Sequence, residues 1–247
     1  MLKKICFLVV LLFSSLFTYP PVIAESPREL TYVALGDSLT AGLGSSKENH
    51  LRIHGFVPQF TKYLRKDNTI TVENYGIPGL TSTGLLALLR ADEGLQNRIK
   101  TADIISVSIG GNDFLQTLGA FSEDESGTPL ELRLDILERT YEEIYKQLRS
   151  HNPDTTIILL GLYNPYPTGH QLSTLGEEFA PEFNRILEEY MKESTLFVNP
   201  YEVFKGKALE WTHIAKDDIH PNDKGYTQIF HLIKKEYEQL KTETPPS

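Results

Sequence analysis

Cysteine is nearly missing from this chain of 247 residues: Cys6 is the only one, alongside one tryptophan and two methionines. Cys6 lies in an N-terminal apolar run, so a chain freed of that run has no thiol at all. Cysteine catalysis, cysteine-ligated metal and disulfide staples are thereby excluded, and stability must come from a hydrophobic core. Basic side chains are also in deficit, with 24 Lys and Arg against 33 Asp and Glu and a formal net charge of -9. Nucleic acid is excluded as a partner on this ground, because phosphate binding draws its affinity from clustered cations. No internal repeat occurs, and the Gly-x-Ser-x-Gly elbow of α/β-hydrolases is absent.

Long hydrophobic runs are scarce too. The one at the N-terminus, the 13 residues Ile5–Phe17, falls short of the roughly 20 that a membrane-spanning helix needs. Lys3 and Lys4 precede it, and Val22, Ile23 and Ala24 place small or apolar residues before Glu25. That layout predicts a secretory signal over residues 1–24, cleaved after Ala24, and a single mature domain over 25–247. Cleavage removes two positive charges and no negative one, taking the net charge from -9 to -11. The expected product is an acidic, exported protein with no stable membrane insertion after signal removal.

The remainder has an ordinary globular composition, 40% hydrophobic and 23% charged. Short β-branched apolar runs alternate with longer amphipathic stretches, the pattern of parallel strands joined by helices. Strands are expected at Tyr32–Leu35, Ile70–Asn74, Ile104–Ile109, Thr155–Leu162 and Leu196–Val198. Helices are expected around Val57–Lys66, Leu85–Ile99 and the region of Phe179, Phe183, Leu187 and Tyr190. A closing helix carries Tyr226, Ile229, Ile233, Tyr237 and Leu240. The clearest helix repeats Leu130, Leu134, Leu137, Tyr141, Ile144 and Leu148 at alternating spacings of four and three, one face of a 3.6-residue period. Thr155–Leu162 is almost continuously apolar, as a central strand buried on both faces requires. Gly42–Gly55 and the acidic Gly119–Pro129 fit neither pattern and read as loops; Thr242–Ser247 reads as a frayed tail.

In open parallel sheets ligands bind outside the carboxyl ends of the strands, so chemistry is sought there. Gly36-Asp37-Ser38-Leu39 follows the first expected strand and leaves the Ser38 hydroxyl at that edge. Asn74-Tyr75-Gly76-Ile77-Pro78-Gly79 follows the second, where glycine lets the backbone approach a ligand and aim an N–H at it. Gly110-Gly111-Asn112-Asp113 follows the third, a tight turn presenting an amide side chain. Near the C-terminus stands Asp217-Asp218-Ile219-His220-Pro221. A histidine that is to take a proton from serine needs a partner fixing its tautomer, and a carboxylate three residues earlier in a loop or helical turn can reach back to it. Each signal alone has an ordinary structural explanation: a cap, a turn, a loop amide, a surface pair. Their meeting at the ends of successive strands does not.

Those four blocks, in this order, resemble the GDSL-type or SGNH hydrolases over nearly the whole mature chain. The resemblance implies a three-layer α/β/α sandwich with a parallel sheet of about five strands in flavodoxin-like order. It implies Ser38 as nucleophile, His220 as general base and then acid, and Asp217 as its orienting partner. The backbone N–H of Ser38, Gly79 and the Asn112 side chain would form the oxyanion hole, with neither metal nor cofactor. Gly76 competes with Gly79, which is preferred because Gly79-Leu80-Thr81-Ser82 fits the second block better; Asp218 competes with Asp217, which the family spacing favours. His50 and His54 have the i, i+4 spacing of some metal sites but no evident third ligand.

The implied reaction is hydrolysis of a carboxylic ester. Leu39, Ile77, Leu80, Phe114 and Leu115 flank the motifs and suit an acyl chain, and the acidic surface disfavours anionic headgroups. An acyl glycerol, a lysophospholipid or a short-chain ester is therefore the expected substrate. The alternative is a carbohydrate O-deacetylase in which Tyr163, Tyr166 and Trp211 line a sugar site; a binding protein of the same fold would have a broken catalytic set.

Overall fold

A computed structural model describes residues 27–46, 52–121, 130–192 and 194–243. The expected signal, Cys6 and His50 lie outside the described residues. Five strands, β1 (Arg28–Gly36), β2 (Asn68–Gly76), β3 (Ile104–Ser108), β4 (Thr156–Leu160) and β5 (Thr195–Val198), form one sheet in the order β2-β1-β3-β4-β5. All four neighbouring pairs are parallel. Parallel neighbours require crossovers, and the intervening helices supply them on both faces.

The alternation of side chains along each strand assigns the two faces. On β1, Val33 and Leu35 enter one core while Leu30, Tyr32 and Ala34 enter the other; on β4, Ile157 and Leu159 oppose Ile158 and Leu160. The first core is covered by α2 (Ser82–Ala91), α3 (Glu93–Lys100), α4 (Gly111–Phe121), α5 (Leu130–His151) and α6 (Ser173–Glu188). The second is covered by α1 (Phe56–Leu64) and the last helix, Asp223–Glu243, with Phe56, Phe60, Tyr226 and Ile233 against the sheet. On α5 the expected face is the one that packs: Leu137, Tyr141, Ile144 and Leu148 are buried, with Leu130 and Leu134 at its margin. Full burial of each such side chain is worth about 1.5–3 kcal/mol, and these two layers carry most of the stabilisation.

Three local expectations are corrected. The helix expected across Leu85–Ile99 is two helices, because Asp92 takes extended dihedrals and its carboxylate accepts the Leu95 N–H at 3.0 Å, capping a second start. The Gly119–Pro129 loop begins later, since α4 runs through Phe121; residues 122–129 lie outside the described ones. The stretch between β5 and the last helix is not bare loop. It holds two single-turn helices, α7 (Tyr201–Phe204) and α8 (Ala208–Trp211), and an antiparallel pair, β6 (Thr212–His213) with β7 (Asp218–Pro221). The last helix is thus α9. Among the described residues no helix is long and apolar enough to cross a membrane.

Candidate active site

The carboxyl edge of the sheet gathers the expected residues. Beyond β1 the chain turns at once: Asp37 O accepts the Ala41 N–H at 3.0 Å and Ser38 O accepts the Leu43 N–H at 2.9 Å. Asp37 caps this turn, its Oδ1 accepting the Leu39 N–H at 2.9 Å. Ser38 is therefore held in the first turn of a short helical segment whose own N–H finds no acceptor among the described residues, and its side chain faces the cleft described below.

Other elements clamp this segment. The Tyr226 hydroxyl of α9 donates to Leu43 O at 2.6 Å, His213 Nε2 lies 2.8 Å from Gly44 O, and the Asp223 carboxylate accepts from Ser46 N and Oγ at 2.7 and 2.6 Å. Gly76 packs against the same turn so closely that a Cβ there would fall on Ala41 N. Its part is close approach to the backbone. Gly79 stands three residues past that end of the strand in a left-handed turn (φ 83°), exposed, its N–H without an acceptor among the described residues. It is not part of the cleft lining.

Asn112 sits in the first turn of α4 and not, as expected, in a free turn. Its Nδ2 donates to Leu80 O at 2.9 Å and lies 3.4 Å from Asp37 Oδ2. The carbonyl on one side fixes which amide atom is nitrogen. Next to it, Asp113 accepts from Ser82 N and Oγ at 2.9 and 2.7 Å, tying the starts of α2 and α4 together.

His220 lies on β7, and the carboxylate on its Nδ1 is that of Asp218, at 2.5 Å, not that of Asp217. The reason is local conformation. In an extended segment residues i and i+2 share a face while i and i+3 do not, so Asp218 lies under the ring and its carboxylate also accepts the His220 N–H at 3.0 Å. Asp217 instead closes the preceding 3₁₀ turn in the left-handed region (φ 57°), exposed. Partial burial works to raise the Asp218 pKa, but the hydrogen bonds from the His220 backbone and ring outweigh it, leaving the carboxyl below its ordinary value. The Tyr163 hydroxyl, donating to Ile219 O at 2.8 Å, anchors the strand from beneath.

Ser38, Asn112 and His220 line one cleft open to solvent. Ser38 Oγ and His220 Nε2 both lack a hydrogen-bond partner among the described residues. Asp37 and Tyr163 also line it, and most of the remaining lining is apolar: Leu39; Phe114 and Leu115 of α4; Leu162, Pro165 and Tyr166 after β4; Phe179 and Ala180 of α6; and Ile219. Phe114 and Phe179, both in the lining, stack on one another with centroids 4.4 Å apart. No Lys or Arg lines it. Of the other residues singled out in the sequence, Ile77 is 43% exposed and outside the lining, and Leu80 packs into the first core. Tyr163 and Tyr166 do line the cleft, but Trp211 lies edge-on to Phe204 against the second core, away from it. His54 is exposed.

A doubly wound parallel sheet bearing a serine, an amide and a carboxylate-held histidine at its carboxyl edge has the architecture of an α/β ester hydrolase. The model of the GDSL-like Lipase/Acylhydrolase family matches residues 34–228, and the chain belongs to that family. The spore germination lipase LipC of Bacillus licheniformis is 29% identical over 212 residues, 83% of this chain and 95% of LipC. The solved lipase Lip_vut3 from a goat rumen metagenome is 27% identical with a TM-score of 0.72, covering 83% of this chain and 96% of its own. Axe2, an acetylxylan esterase from Geobacillus stearothermophilus, shares the fold at 21% identity and a TM-score of 0.62, over 85% of this chain and 94% of its own.

Proposed function

We propose that this chain is an exported serine esterase or lipase that hydrolyses neutral or zwitterionic acyl esters through Ser38, His220 and Asp218. The observation that carries this reading is the single cleft shared by the Ser38 side chain, the Asn112 amide and a His220 whose Nδ1 is taken by a carboxylate. With Nδ1 so held, Nε2 is the free acceptor. It takes the Ser38 proton as Oγ attacks the ester carbonyl carbon, and returns that proton to the leaving alkoxide as the acyl–oxygen bond breaks. Water, deprotonated by the same nitrogen, then releases the acid. A Ser38–His220 hydrogen bond forms in the substrate complex. The Ser38 N–H and Asn112 Nδ2 supply donors for the oxyanion, while the exposed Gly79 N–H, proposed as the third, lies outside the cleft lining.

The apolar walls from α4 and α6 favour an acyl chain, and a lining free of cations leaves an anionic headgroup unpaired. An acyl glycerol, a lysophospholipid or a simple fatty ester fits better than a sugar acetate, since Trp211 turns away from the cleft. The test is hydrolysis of p-nitrophenyl esters from acetyl to palmitoyl by residues 25–247. Rates that peak with an acyl chain of six carbons or more support the reading. Acetyl-only hydrolysis together with deacetylation of a polysaccharide overturns its substrate half.

A further inference from the structure

Asp37 is a buried acid that the mechanism above does not use. It is 3% exposed, lines the cleft beside Ser38, and has no ion-pair partner among the described residues. Its two oxygens are divided between two neighbours: Oδ1 accepts the Leu39 N–H at 2.9 Å, and Oδ2 faces Asn112 Nδ2 at 3.4 Å. The amide nitrogen has two hydrogens. One is committed to Leu80 O at 2.9 Å, so the hydrogen available to an oxyanion is the one that Asp37 also attracts.

We infer that Asp37 is a positioning residue that gates the oxyanion donor of Asn112: its carboxylate retains the second amide hydrogen, and its carboxylic acid releases it to the substrate. A neutral acid offers an O–H toward the amide instead of a lone pair, which leaves that N–H available to an acceptor in the cleft, and it removes a negative charge from beside the developing oxyanion. The groups facing Asp37 pull in both directions: the backbone N–H groups of Leu39 and of Asp37 itself favour its ionised form, and the Asp113 charge opposes it. Asp113 approaches from α4, and the hydroxyls of Tyr141 on α5, Tyr163 after β4 and Tyr226 on α9 interact with it, while His220 lines the same cleft. Burial first, then the Asp113 charge, push the carboxyl up to about 7 against the opposing pull of the Leu39 N–H.

The inference rests on the serine hydrolase reading, and the two fail differently. The experiment is the pH dependence of kcat/KM on p-nitrophenyl butyrate for wild type, Asp37→Asn and Asn112→Ala, with Ser38→Ala as control. Wild type is expected to fall at least tenfold above about pH 7 as Asp37 ionises. Asp37→Asn keeps the acceptor for Leu39 and cannot ionise, so its alkaline limb becomes a plateau. Asn112→Ala, slowed about 10²–10³-fold, loses the limb as well because the gated donor is gone, which keeps the inference testable if Asp37→Asn fails to fold. A wild-type profile without an alkaline limb, or a limb that persists in either variant, overturns the gate. Full activity in Ser38→Ala overturns the underlying reading instead.

Discussion

The pair Asp217 and Asp218 offers the sharpest separation between family spacing and observed geometry. Asp218→Asn removes the carboxylate that accepts from His220 Nδ1 at 2.5 Å, while Asn still fills the site and accepts the His220 N–H through its oxygen. The ring loses the partner that fixes its tautomer and stabilises the imidazolium formed when Ser38 gives up its proton. Removal of such an acid lowers turnover by up to about 10⁴-fold. Because the Asp218 side chain is 36% exposed, water replaces part of what is lost, so a loss of about 10²- to 10⁴-fold is expected, roughly 3–5 kcal/mol on the barrier. Asp217→Asn should change turnover by less than about threefold. Asp217→Gly should do no more harm, since the left-handed backbone at φ 57° costs a non-glycine residue about 1 kcal/mol and glycine almost nothing. The assay is kcat on a soluble ester at a saturating concentration, with circular dichroism melts to check folding. A loss above 10²-fold in a folded Asp217→Asn, with Asp218→Asn near wild type, would refute the reasoning and restore the i, i+3 pair.

Two further outcomes follow from the cleft and from the buried acid. Ala180 lines the apolar cleft from α6, so Ala180→Leu fills it with about three carbons. At about 0.8 kcal/mol per buried methylene, kcat/KM on the longest esters should fall tens-fold while the acetyl ester is spared, read from the chain-length series. Equal loss at every chain length would place the acyl group elsewhere. For Asp37 the sign of the linkage is that of a raised acid. Its stabilising contribution is complete below the unfolded value near 4 and is lost as pH climbs toward about 7. Asp37→Asn should therefore melt higher than wild type at pH 8 and lose that advantage at pH 4, a difference on the order of a few kcal/mol between the two ends. A constant offset in melting temperature across the range would contradict it.

Much of this was legible in the sequence because strands and helices impose different periods. The alternating spacing from Leu130 to Leu148 located the long helix and its buried face, and the apolar run at Thr155–Leu162 located a strand covered on both sides. Once strands were placed, the carboxyl ends of the first and third led to Ser38 and Asn112, while His220 was reached through the Asp-x-x-His block near the C-terminus. What resisted was conformation over two or three residues. Whether Asp217 or Asp218 serves His220 depends on that segment being a strand and not a turn, and its partner strand is only Thr212–His213, too short to leave a periodic signal. The break at Asp92 was hidden because Leu85, Leu89, Leu95 and Ile99 all feed one core, so the apolar pattern runs on through a helix end set by a single capping carboxylate. The clamps from Tyr226 and Asp223 onto the Ser38 turn join residues about 180 positions apart and carry no local signature.

The central claim is that Ser38 is a nucleophile activated by His220, and covalent labelling tests it most directly. Residues 25–247 are treated with a fluorophosphonate ester and examined by intact mass and peptide mapping. The account predicts one adduct per chain, on Ser38, abolished in Ser38→Ala and slowed at least 10²-fold in His220→Ala. An adduct that persists in Ser38→Ala, or that maps to another residue, would contradict it.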